Sequence, residues 1–181
     1  MIILVDMDDT IENLTEAWIN YANNRFHTAV NAADVTTWDP SEAFPSVSHE
    51  EMYALLLEDE LYETVEPFKG AAHYLQKLIA DGHEVFIVTN SPYQVMKAKM
   101  EKVLFRHFPF IDWKHVIITG SKSLIKGDVL IDDGVHNLLG GDYTKLLFTA
   151  PHNRSFDAEG NGMVRVNCWE EVYYTIQKLH C

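Results

Sequence analysis

Four groups of polar residues could do chemistry together. In chain order they are Asp6-Met7-Asp8-Asp9-Thr10, Thr89-Asn90-Ser91, Lys122, and Asp132-Asp133-Gly134. A carboxylate can attack phosphorus in line and form an aspartyl-phosphate. A second acid two residues on can protonate the leaving oxygen and later activate water. A hydroxyl with neighbouring backbone N–H groups can hold phosphoryl oxygens, and a lysine can stabilise the charge on them. Carboxylates gathered in one place repel one another unless something neutralises them. A hard divalent cation held by oxygen ligands does so, and Mg2+ is the default. The same cation would neutralise phosphate oxygens, so an acidic site can accept an anionic substrate. A single acid at the end of a strand is usually a solvated turn residue. Four such groups in this order favour the chemical reading.

The sequence between these groups shows how they meet. Ile2-Ile3-Leu4-Val5 is a short apolar run rich in β-branched residues that stops at Asp6, which reads as a buried strand. Val85-Phe86-Ile87-Val88, Val116-Ile117-Ile118, Val129-Leu130-Ile131 and Leu146-Leu147-Phe148 read the same way. Amphipathic stretches alternate with them. One runs from about Gly70 to Ala80, with Ala71, Leu75, Leu78 and Ile79 inside and Gly82 as its stop. Another covers 93–106 with Met96, Met100, Val103 and Leu104 on one face, and Cys168, Val172, Ile176 and Leu179 stripe a last helix. This rhythm predicts an α/β fold: a Rossmann-like parallel sheet with helices on both faces. Ligands in such sheets bind at the carboxyl ends of the strands, where all four polar groups fall. Residues 13–67 interrupt the rhythm. Leu14, Trp18, Tyr21 and Ala22 mark one helical face, 31–48 is irregular, and Met52, Leu55 and Leu56 suggest a second helix. We read 13–67 as a small helical cap inserted after the first strand, over a core made of 1–12 and 68–181.

Composition bounds the partners. The 181 residues are 47% hydrophobic, 23% charged and 12% aromatic, an ordinary globular mix and the length of one domain. The formal net charge of −13 argues against a nucleic-acid polymer and against an anionic membrane surface as partner. Residues 1–68 hold one basic residue, Arg25, against fifteen acids, so an anionic substrate must be met by a metal ion, a lysine or helix N-termini. Two cysteines, Cys168 and Cys181, are too few for a disulfide framework and fit a reducing cytoplasm. No apolar run is long enough to span a bilayer, and the acidic start does not read as a signal peptide. The nine histidines show no metal-ligand spacing and read as surface or capping residues, with His152 and Asn153 structural at a strand end.

The ordered set of motifs resembles the haloacid dehalogenase superfamily of phosphatases. Asp6-x-Asp8-x-Thr10 matches its first motif, Thr89 or Ser91 its second, Lys122 its third and Asp132-Asp133 its fourth. Within it, the chain resembles the 5'(3')-deoxyribonucleotidases. The carriers are Asp6-Met7-Asp8, Thr89-Asn90-Ser91-Pro92, Lys122 ten residues before Asp132, and Leu147-Phe148-Thr149-Ala150-Pro151-His152-Asn153. The resemblance implies Asp6 as nucleophile and Asp8 as general acid/base. It implies Mg2+ held by Asp6, the backbone carbonyl of Asp8 and the Asp132-Asp133 pair. It implies phosphate contacts from Thr89 or Ser91, from the backbone of Asp9 and Asn90, and from Lys122. The family's cap packs apolar and aromatic side chains on the base, and by position Leu14, Trp38 and Tyr62 are the candidates. The implied substrate is a small phosphate ester, a deoxyribonucleoside monophosphate, and the implied assembly a homodimer.

The chain departs from the family pattern at four places. Asp9 stands where the first motif commonly has glycine, Asn90 is an extra residue between Thr89 and Ser91-Pro92, Gly134 stands where animal members have arginine, and Gly120 lacks a basic side chain near the lysine loop. Two other readings compete. A phosphatase of the same fold for a sugar phosphate would need a polar, basic cap, and Arg25 is the only basic residue in 13–67. A receiver-like phosphoacceptor would carry an Asp after the third strand, and 116–120 has none.

Overall fold

The computed structural model describes residues 1–180. Six parallel strands form one sheet in the order β3-β2-β1-β4-β5-β6. They are β1 (Ile2–Val5), β2 (Glu84–Thr89), β3 (Val116–Ile118), β4 (Val129–Asp132), β5 (Thr144–Phe148) and β6 (Val164–Val166). The apolar runs become strands buried on both sides, because alternate residues feed two separate cores. Ile3, Val5, Ile87, Ile131 and Phe148 point to one face, with α3 (Ala71–Ala80) and α7 (Trp169–His180). Leu4, Val88, Leu130 and Leu147 point to the other, with Leu138 of the short α6 (Val135–Leu138), Tyr143 and Met163. The predicted α/β sheet is therefore the fold found. No helix of the described residues is long and apolar enough to cross a membrane.

β6 was not among the predicted strands. It is three residues long with Arg165 at its centre, and pairing with β5, not hydrophobicity, makes it a strand. The last helix also differs from its predicted stripe. Cys168 is exposed before the helix starts and Leu179 is 44% exposed, while Trp169, Val172, Tyr173 and Ile176 form the buried face. The expected helix over 93–106 is a composite: a turn at Tyr93–Val95, α4 (Met96–Ala98), a π-helical run Lys99–Leu104 and α5 (Phe105–His107).

Between β1 and α3 the chain leaves the sheet through α1 (Leu14–Phe26) and α2 (His49–Ala54). Asn13 caps α1, and Ser48 with Glu51 makes a capping box on α2. The departing and returning segments lie side by side. Glu12 bridges Pro67, the Asn13 amide donates to the Glu66 carbonyl at 3.0 Å, and the Phe68 amide to the Ile11 carbonyl at 3.0 Å.

Candidate active site

Parallel pairing sets the strand ends level. Val5 is in register with Ile87 and with Ile131, so Asp6 leaves β1 beside the ends of β2 and β4, and its amide donates to the Ile131 carbonyl at 2.9 Å. A cavity of about 210 Å³ opens there, with Asp6, Asp8, Asp9, Lys122 and Asp133 on its polar side.

Asp6, Asp132 and Asp133 are buried, and one carboxylate oxygen from each lies within 4.8 Å of the others. Lys122 rises from the turn after β3 and donates to Asp6 and to Asp132, the latter at 2.5 Å. Asp132 also accepts from the Gly134 amide at 2.8 Å and from Asn137 Nδ2 at 3.0 Å. Burial, then the neighbouring Asp132, push the Asp6 carboxyl well above the usual carboxylate range, although Lys122 pulls the other way. Asp132 is raised as well, chiefly by burial. Burial alone would lower Lys122, but Asp6 and Asp132 outweigh it and hold the ammonium above its ordinary value. Hard oxygen donors so crowded suit a small divalent cation, and Asp6, Asp132 and Asp133 are the side chains placed to hold one. The Asp8 carboxylate lies outside that cluster.

Asp9 takes a left-handed backbone, φ 52°, which Asp tolerates better than most residues. Its carboxylate accepts from the Thr15 amide at 3.0 Å and from Thr15 Oγ1 at 2.5 Å, so it braces the first turn of α1. Burial, then Asp133, push its carboxyl up to about 7. Of Thr89, Asn90 and Ser91, Asn90 alone borders the cavity. Thr89 is fully buried, and both hydroxyls accept from one ammonium, that of Lys99.

Leu14 and Trp38 line the apolar side of the cavity with Trp18, Pro40, Tyr53 and Leu56. The Trp38 ring meets His136 and His152 edge-on, each with centroids 4.8 Å apart. Tyr62 is a correction. It is 2% exposed, its hydroxyl donates to the Leu56 carbonyl at 2.8 Å, and it packs inside the helical segment, not on the cavity wall. His152, read as structural at a strand end, also lies at the cavity. It contacts Asp133 Oδ2 at 3.2 Å, which raises its pKa against the pull of burial. Asn153 is structural, donating to the carbonyls of Asp133 and Phe148, each at 2.8 Å.

Two buried groups escaped the sequence reading. Lys99 is 1% exposed and donates to Asp8 Oδ2 at 2.5 Å. Its position three residues after Met96, on the buried stripe of a helix, was the available signal. Glu12 is also buried beside Asp8, and burial, then Asp8, raise its carboxyl.

A parallel sheet of this order, with four carboxylates and a lysine at the carboxyl ends of its strands, defines a phosphatase of the haloacid dehalogenase type. A "HAD family hydrolase" from Deinococcus radiodurans R1 superposes with a TM-score of 0.68 at 15% identity, covering 97% of this chain and 94% of that one. The model of the family "5' nucleotidase, deoxy (Pyrimidine), cytosolic type C protein" matches residues 1–180. A protein of Bacillus subtilis (strain 168) named 5'(3')-deoxyribonucleotidase is 33% identical over 174 residues, covering 94% of this chain and 95% of that protein. One of the same name from Clostridium acetobutylicum is 29% identical over 170 residues, with 93% and 90% covered. The chain belongs to this deoxyribonucleotidase family.

Proposed function

We propose that the protein hydrolyses deoxyribonucleoside 5'- or 3'-monophosphates by way of an aspartyl-phosphate on Asp6. The observation that carries this is the cavity itself: acids and Lys122 on one side, Leu14, Trp18 and Trp38 on the other. An anionic phosphoryl group and a flat base need those two surfaces in one pocket.

In the first step an Asp6 carboxylate oxygen bonds to phosphorus and the bond from phosphorus to the ester oxygen breaks. The electron pair goes to that oxygen, which takes a proton from Asp8. In the second step Asp8 takes a proton from water, the water oxygen bonds to phosphorus, and the bond to Asp6 breaks, freeing phosphate. Lys122 stabilises charge on the phosphoryl oxygens, and the Asp9 and Asn90 amides orient them. Mg2+ held by Asp6, Asp132 and Asp133, with the Asp8 carbonyl, would supply positive charge where phosphate enters. Residues 13–67 serve as the cap and 1–12 with 68–181 as the core. Trp38 offers its face to the base. We place the protein in the cytoplasm and allow it a homodimeric assembly.

Phosphate release from 5'- and 3'-deoxynucleotides, ribonucleotides and sugar phosphates, with Mg2+ and with EDTA, tests the reading. Metal-dependent release favouring deoxynucleotides is expected. Release from sugar phosphates alone would keep the Asp6 chemistry and overturn the substrate.

A further inference from the structure

The Lys99 ammonium touches three oxygens: Asp8 Oδ2 at 2.5 Å, Thr89 Oγ1 at 2.9 Å and Ser91 Oγ at 2.5 Å. An ammonium has three N–H bonds and accepts nothing, so its donors are fully used. A lysine buried to 1% exposure is costly unless paired in this way. Lys99 does not border the cavity, whereas Asp8 does, with a side chain 25% exposed. The ammonium is itself buried and has no path to a substrate; it holds Asp8 by Oδ2, while Asp8 Oδ1 is buried beside Glu12. Lys99 also opens the π-helical run Lys99–Leu104, a distortion that often marks functional positions in helices.

We propose that Lys99 is a positioning residue for Asp8. It ties Asp8 Oδ2 to the end of β2, with Thr89 and Ser91 as braces, so that the carboxyl stays in line with the leaving ester oxygen. Each brace hydroxyl accepts from Lys99 and so keeps its own proton to donate elsewhere. The proposal rests on the reading of Asp8 as general acid.

The test uses two esters compared by kcat/KM, which reports phosphoryl transfer and not the later hydrolysis of the acyl phosphate. A deoxynucleotide such as dUMP leaves as a poor alkoxide and needs the acid, while p-nitrophenyl phosphate leaves readily without it. General acids contribute about 10²–10⁴-fold. Asp8→Asn should therefore lose about 10²-fold or more on dUMP and far less on the aryl ester. Lys99→Met should show the same ester dependence, and the double variant should fall no further than Asp8→Asn alone, since the two act as one unit. Turnover of the aryl ester by Lys99→Met is the internal check on folding. Lys99→Gln keeps a donor at the same place and should repeat the pattern in milder form. Equal losses on both esters in the Lys99 variants, with Asp8→Asn selective, overturn the proposal and leave Asp8 in place. No ester dependence in Asp8→Asn overturns both.

Discussion

The indole nitrogen of Trp169 donates to the carbonyl of Thr10 at 2.9 Å, joining the start of the last helix to the loop that carries Asp6 and Asp8. Trp169 is fully buried at this contact. Trp169→Phe would leave that buried carbonyl without its donor. We expect a loss of about 1–3 kcal/mol of stability, read as a lower Tm, with a fall in kcat as the loop loosens.

Lys122→Ala separates charge from chemistry. The ammonium lies between Asp6 and Asp132, and removing one partner of a buried ion pair costs roughly 3–5 kcal/mol. In EDTA the variant should unfold more easily than the parent. Added Mg2+ should restore Tm by supplying the missing charge, but kcat/KM should stay about 10²-fold low, as loss of one preorganised contact predicts. Full recovery of rate with Mg2+ would remove Lys122 from phosphate binding.

Asp9 makes stability depend on pH. Burial, with Asp133 beside it, pushes its folded carboxyl up to about 7, against about 3.9 for an ordinary aspartate. Below about pH 4 it is protonated in both states and costs nothing. As pH rises to about 7 the unfolded chain ionises while the folded one resists, so stability falls by up to about 1.4 kcal/mol per pH unit, and then levels. Asp9→Asn cannot ionise and still offers an acceptor to Thr15. Its advantage over the parent, measured by denaturant unfolding in EDTA, should grow between pH 4 and 7.

Trp38 and Tyr62 should behave oppositely. Trp38 is 56% exposed at the cavity, so Trp38→Ala should leave Tm nearly unchanged. It should raise KM for deoxynucleotides about tenfold, since base stacking on an aromatic ring contributes about 1–3 kcal/mol. Tyr62→Phe should lower stability by about 1 kcal/mol through the lost bond to Leu56 and leave KM alone. A KM effect from Tyr62→Phe would put that ring back on the cavity wall.

Five of the six strands were legible because each contains a continuous apolar run that stops at a polar group, and parallel pairing makes those ends level; β6, with Arg165 at its centre, has no such run. Asp6, Asp8, Lys122 and Asp132 could be found for the same reason. What escaped depends on contacts that no local pattern carries. Lys99 drew no reading from the sequence because its partners lie 8, 10 and 91 residues away. Asp9 looked like an added negative charge, yet its carboxylate is spent on Thr15. His152 was read by spacing, and only the fold brings it beside Asp133. Tyr62 was placed by analogy of position, and burial decided against it.

The hydrogen-bonded clasp of Ile11, Glu12 and Asn13 with Glu66, Pro67 and Phe68 makes the long excursion after β1 a cassette. Its two ends are neighbours, so a segment of another length or shape can be spliced between them without moving the strand ends that gather the acids. Lineages, and engineers, can exchange what the pocket admits while inheriting the hydrolytic machinery unchanged.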